Sequence, residues 1–283
     1  MDLGLADHRF LVGGATRGLG AAIARALAGE GARIAAMARP SPALDAAASA
    51  LGAAAVGVDL MEPEAPAGAV RAAVDALGGL DGLVVNTGGP PAGSFAELDE
   101  AAWQKAISNT LLSSLRLIRA ALPHLRDGRD PAILIVLSSS VREPVADLVT
   151  SNTLRPGLAG LVKSLVPEIA PIRINGVAPG RFDTDRVREL DEMRAAKSGS
   201  TPEEIKAGHV ARIPLGRYGD PDELGRAAAF LLSPAASYLT GVILPVDGGL
   251  IRSLPSGAAR GRADATRTLR PSRVRASPIS LAP

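Results

Sequence analysis

Residues 10–20 read Phe-Leu-Val-Gly-Gly-Ala-Thr-Arg-Gly-Leu-Gly, and residues 21–28 continue as Ala-Ala-Ile-Ala-Arg-Ala-Leu-Ala. A short apolar run feeds into Gly14, Gly18 and Gly20, and an Ala-rich helical pattern follows. Glycines at such a junction permit a tight turn and a close approach of backbone to a pyrophosphate. The helix that starts there offers unpaired N–H groups and the positive end of its dipole. The spacing is GxxxGxG rather than GxGxxG, so the glycines alone also fit an ordinary Gly-rich turn. The strand before and the helix after them carry the dinucleotide reading.

The same rhythm extends outward. Apolar runs at 10–12, 34–38, 54–58, 83–85, 133–137, 172–177 and 242–246 read as seven strands. Between them, 21–28, 70–77, 103–125, 156–169 and 222–232 have helical spacing. Strands alternating with helices predict an α/β fold, a single Rossmann-type, doubly wound, parallel seven-stranded sheet with helices on both faces. The nearly unbroken apolar character of the strands fits a sheet covered on both sides. Residues 1–250 are expected to form one dinucleotide-binding and catalytic domain. The polar, charged stretch of about 181–212 is expected as a substrate lid, because ligands bind beyond the carboxyl ends of such strands.

Composition narrows the function classes. Of 283 residues, 47% are hydrophobic and none is cysteine, which excludes disulfides, a thiolate nucleophile and cysteine–metal sites. His8, His124 and His209 have no metal-ligand spacing, so no metal is expected. Seven of the 31 basic residues but only one of the 29 acidic ones fall in 250–283, leaving 24 against 28, a balance of −4, for the remainder. The fold itself therefore gives no reason to expect nucleic acid. The aperiodic Arg-rich tail, 251–283, is expected to be disordered. The N-terminal stretch has no basic region followed by an apolar one, and no run is apolar for about 18 residues. A cytoplasmic protein without membrane contact is expected.

The second strand ends Ala36-Met37-Ala38-Arg39-Pro40. An NAD-binding chain usually places an acid there for the ribose hydroxyls. Here Arg39 stands beside that place and Arg17 lies in the glycine turn. Two guanidiniums suit a 2′-phosphate, so NADP(H) is expected in preference to NAD(H).

Further segments resemble the short-chain dehydrogenase/reductase family over about residues 6–250. Asp59-Leu60 resembles its adenine-side acid after the third strand, and Asn86-Thr87-Gly88-Gly89 its NNAG turn after the fourth. Pro179-Gly180 with Thr184 resembles its PG…T segment at the nicotinamide, and Val246-Asp247-Gly248-Gly249 its closing segment. The runs at 86–95 and 148–165 are similar to a divergent branch close to 3-oxoacyl-carrier-protein reductases. The resemblance implies cofactor contacts from Gly14, Thr16, Arg17, Gly18, Leu19, Gly20, Arg39, Asp59, Leu60, Asn86, Gly88, Arg155, Pro179, Gly180, Phe182 and Thr184. It also implies a small-molecule substrate and a homodimer or homotetramer built on the helices at 103–125 and 152–169.

The family's catalytic tetrad is Asn, Ser, Tyr and Lys. Asn109 matches the first. Ser138, Ser139 and Ser140 compete for the second, and Ser139, 12 residues before position 151, is taken as the match. The Tyr-x-x-x-Lys pair falls on Ser151 and Arg155. The i, i+4 spacing survives, so both side chains share one helix face. The chemistry does not: a serine hydroxyl is a far weaker acid than a phenol, and arginine holds charge without passing protons. The remaining tyrosines, Tyr218 and Tyr238, sit elsewhere and read as structural. Three functions follow: an NADP(H)-dependent oxidoreductase with an atypical site and a proton from water or a lid residue such as His209; a lyase, cyclase or isomerase on the same fold; or a non-catalytic dinucleotide-binding protein.

Overall fold

Seven strands form one sheet in the order β3-β2-β1-β4-β5-β6-β7, all pairings parallel. They are β1 (Arg9–Gly13), β2 (Arg33–Ala38), β3 (Ala54–Gly57), β4 (Gly82–Val85), β5 (Ala132–Val136), β6 (Arg173–Pro179) and β7 (Ile243–Val246). The computed structural model describes residues 2–253, so nearly all of the Arg-rich tail lies outside the described residues. β4, β5 and β6 are buried along their whole length, which explains their unbroken apolar reading.

Helices cover both faces. On one lie α1 (Gly18–Gly29), α2 (Pro42–Leu51) and α9 (Pro221–Leu232), around a core that includes Phe10, Val12, Ile23, Leu27, Leu44 and Leu224. On the other lie α3 (Ala65–Leu77), α5 (Ser113–Leu125) and α6 (Val149–Ile169), around Leu11, Leu83, Leu117, Ile133, Leu158 and Val162. The chain winds outward in both directions from β1, so the strand order reverses between β1 and β4. The loops after these strands part there and leave the crevice in which such sheets bind ligands.

Three features depart from the sequence expectations. The helical pattern over 103–125 is not one α-helix. It is α4 (Glu100–Ala106), a π-helical segment (Ile107–Leu112) and α5. The lid stretch is not irregular but holds α7 (Asp185–Ser198) and α8 (Pro202–Val210). α2 was also unforeseen; Ser41 caps it by accepting the Leu44 N–H at 3.3 Å, and Pro42 opens its first turn. No helix among the described residues is long and apolar enough to cross a membrane.

Candidate active site

The carboxyl ends of β1, β4, β5 and β6 bring the expected residues to one edge. Gly14 (φ 62°) and Gly18 (φ 58°) adopt the left-handed conformation that turns β1 into α1. Gly20 is required by packing. A Cβ there would collide with the Gly14 carbonyl oxygen and stand 2.6 Å from Asn86 Nδ2. That Asn86 amide donates to the Gly13 carbonyl at 3.2 Å and ties the loop after β4 to the glycine turn. Gly88 (φ 85°) follows, with nothing within 4 Å of where its Cβ would be.

The remaining cofactor-side residues divide into groups. Thr184 caps α7, its hydroxyl accepting the Val187 N–H at 3.3 Å, and its methyl faces Gly18. Thr16 and Leu19 are half-buried in the turn, and Arg39 is exposed at the end of β2. Arg17 does not stand free beside Arg39; it lies 3.6 Å from Asp185 and 3.7 Å from Glu189 of α7. Asp59 is exposed and its carboxylate accepts the Met61 N–H at 3.0 Å, while Leu60 is half-buried. Pro179 is buried in β6, and a Cβ on Gly180 would stand 2.7 Å from Asp247 Cα. The Phe182 ring turns inward, buried against Gly219.

Asn109 falls inside the π-helical segment, half-buried. The Ser113 hydroxyl donates to the Asn109 carbonyl, and the Ser114 hydroxyl to that of Thr110 at 2.6 Å. These bonds satisfy carbonyls that the widened turn would otherwise leave loose.

The three serines after β5 have three environments. Ser140 is buried and its hydroxyl lies 3.2 Å from that of Ser151, which is buried too. Position 151 therefore turns inward to a neutral hydroxyl pair rather than outward to a ligand. Ser139, the match by spacing, is buried. Ser138 is the most exposed of the three; its oxygen accepts the Ser140 N–H at 3.1 Å, which leaves its own proton available to donate. Exposure thus favours Ser138 over Ser139 as a donor to a ligand at the strand end. The reason is the short 3₁₀ turn (Ser139–Val141) that begins at once and winds the next two hydroxyls under the strand end.

Arg155, on α6, reaches across the strand ends. Its Nη1 donates to the Val136 and Leu137 carbonyls at 2.6 and 2.9 Å, and its Nη2 to Gly88 at 3.3 Å. Burial, with the nearby Arg186 guanidinium, pulls its pKa down to about 10. Arg186 was missed in the sequence because the family resemblance carries no role for that position. It donates to the Pro90 carbonyl at 2.9 Å.

His209 is not at the strand ends. It lies on α8, 3.7 Å from the buried Asp191 carboxylate and 3.4 Å from Arg194. Burial and the Arg181 and Arg194 charges depress its pKa to about 4, so at pH 7 it is a neutral imidazole without the acidic imidazolium proton. Asp191 also accepts the Tyr218 hydroxyl at 2.7 Å and pairs with Arg181 at 2.9 Å. This gives Tyr218 the structural place expected of it.

An open doubly wound sheet with a glycine turn at its switch point defines the chain as a Rossmann-type α/β protein. The family profile described as Enoyl-(Acyl carrier protein) reductase matches residues 14–251. The chain is 34% identical over 245 residues to the 3-oxoacyl-(acyl-carrier-protein) reductase FabG of Vibrio cholerae, covering 85% of this chain and 96% of the relative. It belongs to the short-chain dehydrogenase/reductase family. Among solved structures, the L-sorbose reductase of Gluconobacter frateurii, complexed with NADPH and L-sorbose, superposes with a TM-score of 0.84 at 28% identity, covering 90% of this chain and all of that one. An NADPH-bound short chain oxidoreductase of Pseudomonas aeruginosa PAO1 containing an atypical catalytic center superposes with a TM-score of 0.78 at 32% identity, covering 88% of this chain and all of that one.

Proposed function

We propose that the protein is an NADP(H)-dependent oxidoreductase that interconverts a carbonyl and an alcohol, or reduces another polarised double bond, without a titrating proton donor at position 151. The observation that carries this is the Arg155 guanidinium. It spans from the catalytic helix to Gly88 in the cofactor loop and to the carbonyls beside Ser138, so the dinucleotide edge and the reacting edge are one rigid unit.

The residues fit the dinucleotide. Gly20 cannot carry a side chain, Gly14 and Gly18 open the turn, and α1 starts with its N–H groups pointing out of it. Thr16, Gly18, Leu19, Asn86, Gly88 and Thr184 would line it, with Asp59 and Leu60 at the adenine and Pro179, Gly180 and the Phe182 backbone at the nicotinamide. Arg39 would take the 2′-phosphate. Arg17 would join it by leaving Asp185 and Glu189, since exposed pairs of this kind hold it by no more than about 1 kcal/mol. When bound, the nicotinamide supplies or accepts the hydride. Ser138 donates a hydrogen bond to the substrate oxygen, Arg155 supplies fixed positive charge, and Asn109 sits in the helix distortion. The proton comes from water. NADPH-bound relatives, one with an atypical centre, support this reading. We assign the protein to the cytoplasm, with a small-molecule substrate and a homodimeric or homotetrameric state.

A specific observation keeps a second reading in view. The inward-facing Ser140–Ser151 pair leaves position 151 with no acid or base, which also suits a lyase, cyclase or isomerase that keeps the dinucleotide for structure.

Titrating NADPH and NADH by calorimetry tests the cofactor half. Charge-assisted contacts of about 1.5–3 kcal/mol predict at least a tenfold preference for NADPH, largely lost in Arg39→Ala. Equal affinities for the two cofactors overturn it.

A further inference from the structure

The loop after β4 gathers cations. Within four residues, the Gly88 carbonyl accepts from Arg155 at 3.3 Å, the Pro90 carbonyl from Arg186 at 2.9 Å and the Pro91 carbonyl from the Thr150 hydroxyl at 2.8 Å. Thr150 precedes Ser151, so along the loop Arg186 is bonded between Arg155 and the start of α6. Its Nε is 3.1 Å from where a Cβ on Gly89 would be, so it lies flat on the loop backbone.

The charges at this place do not balance. Arg155 has no ion-pair partner among the described residues; its hydrogen bonds go to three neutral carbonyls. Arg186 has one acid, Glu189, at 3.7 Å, and Glu189 is also 3.7 Å from Arg17. The Arg155 and Arg186 guanidiniums repel one another, and the carboxylate that Arg186 shares with Arg17 offsets only part of that charge, so an outside anion would relieve it. Arg186 spends one Nη2 N–H on Pro90, and its Nη1 faces only the exposed Glu189 at 3.7 Å, beyond hydrogen-bond length, so its planar fork can still grip a carboxylate. The cofactor's pyrophosphate belongs at the glycine turn and the start of α1. Arg186 is bonded instead to the Pro90 carbonyl, one residue before the carbonyl that takes the Thr150 hydroxyl.

We propose that Arg186 is a specificity-determining residue, and that the site takes an oxo acid or the matching hydroxy acid, its carboxylate held by Arg186 while Ser138 holds the reacting oxygen. This rests on the reductase reading above and adds the substrate's charge class to it.

The test measures binding to the full chain saturated with NADP+, by calorimetry, for acetoacetate against methyl acetoacetate and pyruvate against methyl pyruvate. At least one acid is expected to bind about tenfold or more tightly than its ester. In Arg186→Met that ratio is expected to fall to within about threefold, and Arg186→Lys to recover part of it. NADP+ affinity in Arg186→Met is expected to stay within about threefold of the parent. Esters that bind as well as acids, acids that do not bind, or a ratio that survives in Arg186→Met overturn the proposal. A loss of about tenfold or more in NADP+ affinity also overturns it, because Arg186 would then serve the cofactor's phosphates. NADPH consumed with the esters alone leaves the reductase reading standing and defeats this one. Preferred binding of the acids without any NADPH consumption overturns the reductase reading and, with it, the assignment of these acids as substrates, leaving Arg186 only as an anion site.

Discussion

At the scale of single residues, the site turns on which hydroxyl can donate. Ser138 keeps a free proton at the end of β5, whereas Ser140 and Ser151 occupy one another in the interior. Removing a hydrogen-bond donor from a reacting oxygen lowers turnover by about 10²–10³-fold. Ser138→Ala is therefore expected to lose about that much kcat, and Ser151→Ala less than about tenfold, in steady-state assays of NADPH oxidation. The opposite order would place the donor at 151. Spacing in the sequence points to Ser139, one residue from the more exposed Ser138. Three consecutive serines leave a strand end in three directions, and only the onset of the 3₁₀ turn decides which stays exposed. The replacement of tyrosine and lysine by Ser151 and Arg155 was legible outright. The inward turn of Ser151, the Phe182 ring packed on Gly219 and the bond from Arg186 to the Pro90 carbonyl were not, because each depends on contacts between segments distant in the chain.

At the scale of elements, β1 to β7 were legible because buried parallel strands are continuous apolar runs, and α1, α3, α6 and α9 because one apolar face repeats. α7 escaped because its sequence, Asp-Arg-Val-Arg-Glu-Leu-Asp-Glu-Met-Arg-Ala-Ala-Lys-Ser, is charged nearly all round. Its signals were the Thr184 cap at one end and Gly199 in the left-handed conformation at the other. What holds α7 and α8 is charge. Asp191 pairs with Arg181, lies near Arg194 and His209, and accepts from Tyr218; Arg212 adds a further positive charge towards His209. His209 has a folded pKa of about 4 against an ordinary 6.5, so on acidification the unfolded chain takes up this proton first. Its contribution is complete above pH 6.5 and is lost as the pH falls towards 4. The melting temperature is therefore expected to fall more steeply between about pH 7 and about pH 5 in the parent than in His209→Gln. Identical slopes would show that His209 is not the group that senses acid.

At the scale of the whole molecule, one sheet lines up every element of the site along its carboxyl edge, and the opposite ends of the strands carry structural pairs such as Arg9 with the buried Asp81 at 2.7 Å. Leu112 and Leu115 on the π-helical segment and α5, and Leu161 and Leu165 on α6, remain only half-buried. A second copy packed on these helices would cover them, so light scattering at micromolar concentration is expected to show a dimer or tetramer, and a monomer would refute that assembly. The central claim is hydride transfer at a site that has lost its phenol. Its most direct test is to supply NADPH deuterated on the transferring face, with a panel of oxo acids and neutral ketones, and to read the alcohol products by mass spectrometry. Deuterium is expected on the carbinol carbon of at least one product, released with NADP+. Tight NADPH binding with no deuterium in any product would contradict it and leave the dinucleotide as a structural ligand.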